Sequence, residues 1–118
     1  MSSVQAEASA FYKEVAKSGV VWGIKNKAGF PAPRGVSGKQ AMPFWSSEKR
    51  AKLVIHSVSA YAEFEPTAIQ WSDFCTHWVP GLKKDNFLAG INWSGKRASG
   101  FDIEPDLLQE AVETFRES

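Results

Sequence analysis

Apolar residues recur along the chain in two periods. Val4, Ala8, Phe11 and Val15 are spaced by three and four, which lines one face of a helix, and Gly19 after Lys17-Ser18 supplies its stop. Ala51, Val54, Ile55, Val58 and Tyr61 repeat that spacing behind Ser46, a good N-cap, and Glu48 falls in the first turn, where the helix dipole favours an acid. A third helix is predicted to start at Ser72, to bury Phe74, Cys75 and Trp78, and to end at Pro80-Gly81. A fourth opens at Glu104-Pro105, proline being suited to the first helical position, with Leu107, Leu108, Ala111, Val112 and Phe115 as its apolar face.

Between these stretches the pattern changes to short β-branched and aromatic runs. Val20-Val21-Trp22-Gly23-Ile24 reads as a strand, followed by a turn at Asn26-Lys27-Ala28-Gly29 and a return starting at Phe30. The segment 31–38 contains Pro31, Pro33, Gly35 and Gly38 and is expected as an irregular surface loop. Gln40 to Trp45 is a strand that Pro43 confines to an edge or a bulge, because proline has no amide hydrogen to donate. Thr67 to Trp71 is short and extended, and Phe87 to Trp93 with Ala98 to Ile103 forms a hairpin around Ser94-Gly95-Lys96. Interspersed helices and strands with two hairpins predict an α+β class: a small, mainly antiparallel sheet with about four helices packed against it, in a single domain over 1–118.

Composition changes this picture little. The 118 residues are 43% hydrophobic and 23% charged, ordinary for a packed domain and too apolar for a disordered chain. One cysteine, Cys75, rules out an internal disulfide and fits a reducing compartment. The first residues carry no basic segment followed by an apolar one, and no run of about 18 apolar residues occurs, so a cytoplasmic protein is expected, with no membrane partner. The net charge is +1, but residues 20–53 hold seven cations against one carboxylate and residues 54–118 five cations against ten carboxylates. Such halves neutralise one another where they meet in the fold, or mark a face for an acidic partner.

Each chemical signal has a plainer explanation. Gly90 to Lys96 has the glycine and lysine spacing of a phosphate-binding loop, yet Arg97 stands where Ser or Thr would hold magnesium and the segment reads strand-turn-strand. Asn92-Trp93-Ser94 is a glycosylation sequon without a secretory context. Asp73 and His77 lie one helical turn apart, as a surface pair does, with no nucleophile to place beside them. Cys75 shares a face with Phe74 and Trp78, where a thiol acts as a small hydrophobe. Asp102, Glu104, Asp106 and Glu110 crowd a helix start for dipole reasons and lack a calcium loop's glycine and closing glutamate. No metal, cofactor or catalytic set is assigned. Two surfaces are. Trp22, Arg34 and Trp45, aromatics and a cation flanking the proline-rich loop, are candidates for protein binding; Ser46, Ser47, Lys49 and Arg50, at a helix N-terminus, are candidates for an anion. The low net charge argues against nucleic acid despite the aromatics.

Val21-Trp22-Gly23-Ile24-Lys25, Gly29-Phe30-Pro31-Ala32-Pro33, Ala41 to Glu48, Trp78-Val79-Pro80-Gly81-Leu82 and Ala89 to Gly95 together resemble the bacterial domain-of-unknown-function family 2750 over about residues 7–115. A further similarity, to the N-terminal domain of the SseB family, runs through Phe44-Trp45-Ser46-Ser47-Glu48 entering a helix and a late Ile91-Asn92 strand; it departs where Trp93-Ser94-Gly95 replaces a proline-containing turn. The first resemblance implies no activity and assigns no residues. The second implies a related α+β fold and a protein-binding role. The expectation is therefore a non-enzymatic, cytoplasmic protein-interaction module of immunity or secretion type, its partner another protein or a second copy of itself. The alternative is a small anion or nucleotide binder with hydrolase activity.

Overall fold

In the computed structural model, which describes residues 3–35, 38–95 and 98–117, five strands form a layer with helices on both faces. The strands are β1 (Val20–Lys25), β2 (Ala41–Phe44), β3 (Glu65–Gln70), β4 (Leu88–Ser94) and β5 (Ser99–Ile103). β1 pairs antiparallel with β3, β4 antiparallel with β5, and β2 parallel with β4. One bridge between Trp22 and Trp45 joins the two sheets through reciprocal backbone bonds of 2.8 and 2.7 Å. The α+β class and the mainly antiparallel pairing agree with the hydrophobic pattern.

One sequence expectation needs correction here. The turn at Asn26–Gly29 closes on itself with backbone bonds of 3.1 and 3.0 Å, but the chain does not return beside β1; β3 pairs there, placing Ile69 opposite Val21 on one buried face. The stretch before β2 has no regular strand among its described residues, but its two arms, 33–35 and 38–41, meet: Ala41 N donates to Pro33 O, Arg34 bridges Gln40, and Gly35 N donates to Lys39 O, which makes a narrow ribbon. Pro43 is placed as its chemistry demands. The N–H and C=O of Trp45 face β1, so the nitrogen and C=O of Pro43, two residues earlier, face the same side, where no strand pairs with Pro43 itself and no N–H is needed.

Side chains alternate across the layer. Val21, Phe44, Ile69, Ala89 and Ile91 face one core, covered by α1 (Ser3–Ser18) through Phe11 and Val15 and by α5 (Pro105–Arg116) through Leu108 and Val112. Ile24, Ala41, Trp45 and Leu88 face the other, covered by α2 (Glu48–Ser57) through Ala51 and Val54, and by Tyr61. The α2 cap is Ser47, not Ser46: its hydroxyl accepts from Arg50 N at 3.2 Å. Gly19 has φ 74 and its amide bonds Val15 O, the left-handed stop expected for α1.

Strand β4 breaks the alternation once. Asn92 has φ 48 and the β4–β5 register shifts between Ile91 and Ser94. The extra residue of this bulge transfers Trp93 from the α1/α5 face to the α2 face, where it is buried and its carbonyl accepts from Trp45 Nε1 at 2.8 Å.

Trp45 is 0% exposed, so truncating it removes a large share of the second core. Trp45→Ala should lower stability by about 3–5 kcal/mol, read from urea denaturation; an unchanged midpoint would contradict its buried position.

Candidate functional site

The third helix departs furthest from expectation, and the departure creates a cleft. It does not stop at Pro80-Gly81. A first turn, α3 (Trp71–Asp73), runs into a π-helical turn (Phe74–Trp78) and then α4 (Val79–Lys84). Val79 N reaches back five residues to Phe74 O. The wide turn lets Pro80 sit in the first turn of α4, where its missing N–H costs least. Met42, Trp78, Leu82 and Phe87 then line an apolar cleft of about 200 Å³, with His77, Gly81 and Asp85 also along it. Its wall is fixed from behind: Trp78 packs edge-on against Phe30 at 4.7 Å and Phe44 at 5.8 Å.

His77 Nδ1 lies 2.6 Å from Asp73 Oδ1. A carboxylate only accepts, so Nδ1 carries the proton and Nε2 of the neutral ring is left as an acceptor. Both side chains are more than half exposed, so the pair adds little stability and serves mainly to orient the ring. Cys75 sits half-buried on the neighbouring side of the same turn. Burial, aided by the negative charge of Glu113 and partly opposed by Arg116, pushes its thiol up to about 11. Glu113 in turn accepts from Trp71 Nε1 at 2.5 Å.

The two surfaces expected from sequence come out differently. Trp45 is core and cannot meet a partner, because α2 covers it. Trp22 is partly buried against the same core, and the exposed Arg34 turns its Nη1 onto Gly38 O at 2.8 Å within the ribbon. The structure therefore joins Trp22 to Trp45 through the backbone and leaves no exposed patch containing both. The anion cradle fails for a different reason: its donors are taken. Ser46 is buried, donates from its hydroxyl to Glu14 Oε1 at 2.6 Å and from its amide to Asn92 Oδ1 at 3.0 Å. Arg50 spends Nη1 on Glu7 and Nε and Nη2 on Glu14, all at 3.1–3.2 Å. Ser47 caps α2, and Lys49 alone of the four is exposed and uncommitted to the cap or the latch. Asn92, the sequon asparagine, donates to Glu7 O and Ser46 Oγ at 3.1 Å. These groups form a latch that fastens α1 across the β2–α2 corner to β4.

Of the remaining signals, Gly90 to Ser94 lie in β4, which removes the phosphate-loop geometry, and Lys96 and Arg97 lie outside the described residues. Among the described residues no three His, Cys, Asp or Glu side chains converge as a metal site, and no helix is long and apolar enough to cross a membrane. The opposed charges of the two halves do meet, in Lys39–Glu104 at 3.9 Å. Sequence reasoning missed the cleft. Its signal was a proline-glycine pair two residues after an aromatic, inside a helix rather than at its end.

Residues 8–112 match the model of the family described as "Protein of unknown function (DUF2750)". The chain belongs to this family. The match runs from within α1 to the last buried residue of α5 and takes in all five strands, the cleft and the latch apart from Glu7. None of the curated proteins matches the chain. Among solved structures, "Anabaena Tic22 (protein transport)" is similar at 16% identity, covering 70% of this chain and 46% of that one, with a TM-score of 0.44. The chain thus spans under half of that protein's length, and the superposition is too loose to carry a shared fold.

Two measurements check this geometry. With its thiol near 11, Cys75 should react with iodoacetamide at pH 8 at least about tenfold more slowly than a free thiol of pKa about 8.5, the scarcer thiolate outweighing its greater nucleophilicity; free-thiol rates would contradict the burial. Hydrogen bonds from Arg50, with a further one from Ser46, hold the Glu14 carboxyl below its ordinary range. Its stabilising contribution is complete above the unfolded value of about 4.3 and lost as pH falls through the lower folded value. The stability gap between the native protein and Glu14→Gln should therefore shrink on acidification below about pH 4, measured by urea midpoints. A gap independent of pH would disprove the latch.

Proposed function

We propose that the protein is a non-enzymatic protein-interaction module of the bacterial cytoplasm and that the cleft beside the π-turn takes one large apolar side chain of its partner. The observation that carries this reading is the size and chemistry of the cleft. At about 200 Å³ it is smaller than the roughly 300–1,000 Å³ of small-molecule and cofactor sites, yet suited to a single anchor residue. Its lining is Met42, Trp78, Leu82 and Phe87, and methionine and aromatic side chains are enriched where proteins meet. Asp85 and His77 give the edge a polar character, as around interface anchors elsewhere. The lone thiol, Cys75, fits a reducing compartment.

An anion or nucleotide at the start of α2 is disfavoured, since Arg50 and Ser46 face carboxylates already and a bound anion would have to displace Glu7 or Glu14.

Gly81 provides the test. It is exposed, lines the cleft, and a Cβ built on it meets nothing within 4 Å, so Gly81→Leu is admitted without a clash at Cβ, adds bulk at the cleft edge and favours the helix. Peptides selected from a displayed random library against the native protein should share one large apolar residue. Their affinity, by calorimetry, should fall at least about thirtyfold with Gly81→Leu, the loss expected when an anchor pocket is filled. Leu53→Ser, on the exposed face of α2, should leave it unchanged. Equal binding to the Gly81→Leu variant would sink the proposal.

A further inference from the structure

The ribbon of residues 33–35 and 38–41 meets β5, through Gly35, at one point that is chemically unfinished. Asp102 Oδ1 accepts from Trp93 Nε1 at 3.0 Å, while Oδ2 is buried and, among the described residues, has no hydrogen-bond partner. Almost all buried polar atoms in folded proteins are paired, so an exception needs a cause. What covers Oδ2 is Gly35: a Cβ at that residue would overlap the carboxylate oxygen. Only glycine lets the ribbon lie this close. Trp93 is held in turn against β4, since a Cβ at Gly90 would overlap its indole ring.

An ionised carboxylate with one oxygen dry and unpaired is far costlier than a neutral acid in the same place. We propose that docking of the ribbon on β5 through Gly35 is proton-linked: Gly35 closes over Asp102 in its neutral form and is displaced when the carboxyl ionises. Burial raises the Asp102 carboxyl above the ordinary aspartate range, the indole hydrogen bond only partly opposing it. By linkage the two facts are one: whatever docking does to the proton affinity of Asp102, ionisation does in reverse to docking. The sign is that docking is complete at low pH and lost as pH rises through the raised value. The charged groups at the junction are Lys39 and Glu104, paired at 3.9 Å and half exposed, and Arg34, bound to Gly38 O.

Amide and indole resonances of the native protein, followed by nuclear magnetic resonance from about pH 3 to about pH 8, test this, because the range brackets the ordinary aspartate value of about 3.9. The Trp93 indole N–H and the Gly35 amide should titrate with one midpoint, shifted above the ordinary aspartate value. Asp102→Asn should flatten both curves, and Glu104→Gln should leave both in place. Gly35→Ala, which bars docking, should return the Trp93 midpoint to the ordinary value; this variant keeps the proposal testable should Asp102→Asn fail to fold. A Gly35 amide that stays silent while the Trp93 indole titrates, an ordinary midpoint in the native protein, or a midpoint that Gly35→Ala leaves unmoved would each overturn it.

Discussion

Most of this structure depends on one backbone conformation, the left-handed turn of Asn92 within β4. A residue with φ 48 in a strand inserts one extra position, and every side chain beyond it changes face. Trp93 thereby joins Trp45 in the α2 core. Asparagine tolerates this conformation better than other side chains with a Cβ, because its amide can bond locally. Here it bonds further afield, to the Ser46 backbone and hydroxyl and to the Glu7 carbonyl. One strained residue is thus held by two segments, α1 and the β2–α2 corner, and it holds them in return. The ion pairs of Arg50 with Glu7 and Glu14 lie over this centre and keep α1 in register with α2.

A second backbone irregularity makes the apolar cleft. A regular α-helix through Phe74 to Lys84 would place Pro80 in its interior, where the ring clashes with the preceding turn. Widening by one residue removes that conflict. The same widening sets His77 and Trp78 beside the opening that Gly81 leaves bare. The cleft follows from how the chain accommodates a proline, and the rigid aromatic backing of Phe30 and Phe44 keeps it open without a partner.

Much of the fold was legible because its signals are local. Gly19 stops α1 and Glu104-Pro105 starts α5 through short-range backbone chemistry, and Pro43 marked a strand position whose nitrogen is asked for no ladder bond. What failed was non-local. The Asn26–Gly29 turn is real, yet β1 takes β3 as neighbour because that pairing buries Ile69 opposite Val21. Trp45 was readable as a strand residue, but its burial depends on α2 folding over it. The charge of Arg50 was plain, but its partners Glu7 and Glu14 lie 43 and 36 positions away, beyond any helical or strand period. The candidate surfaces were misplaced for this reason: an aromatic and a cation near each other in sequence say little about which of them water will reach.

The bridge between Trp22 and Trp45 is a narrow seam, two hydrogen bonds wide, between a two-stranded and a three-stranded sheet. The chain crosses that seam on passing from β1 to β2, from β2 to β3 and from β3 to β4. Neither sheet is a contiguous piece of polypeptide, and no single cut separates them. The narrow join therefore does not divide the molecule into independently folding halves: each sheet must wait for strands that arrive after part of the other, and the two cores form and melt together.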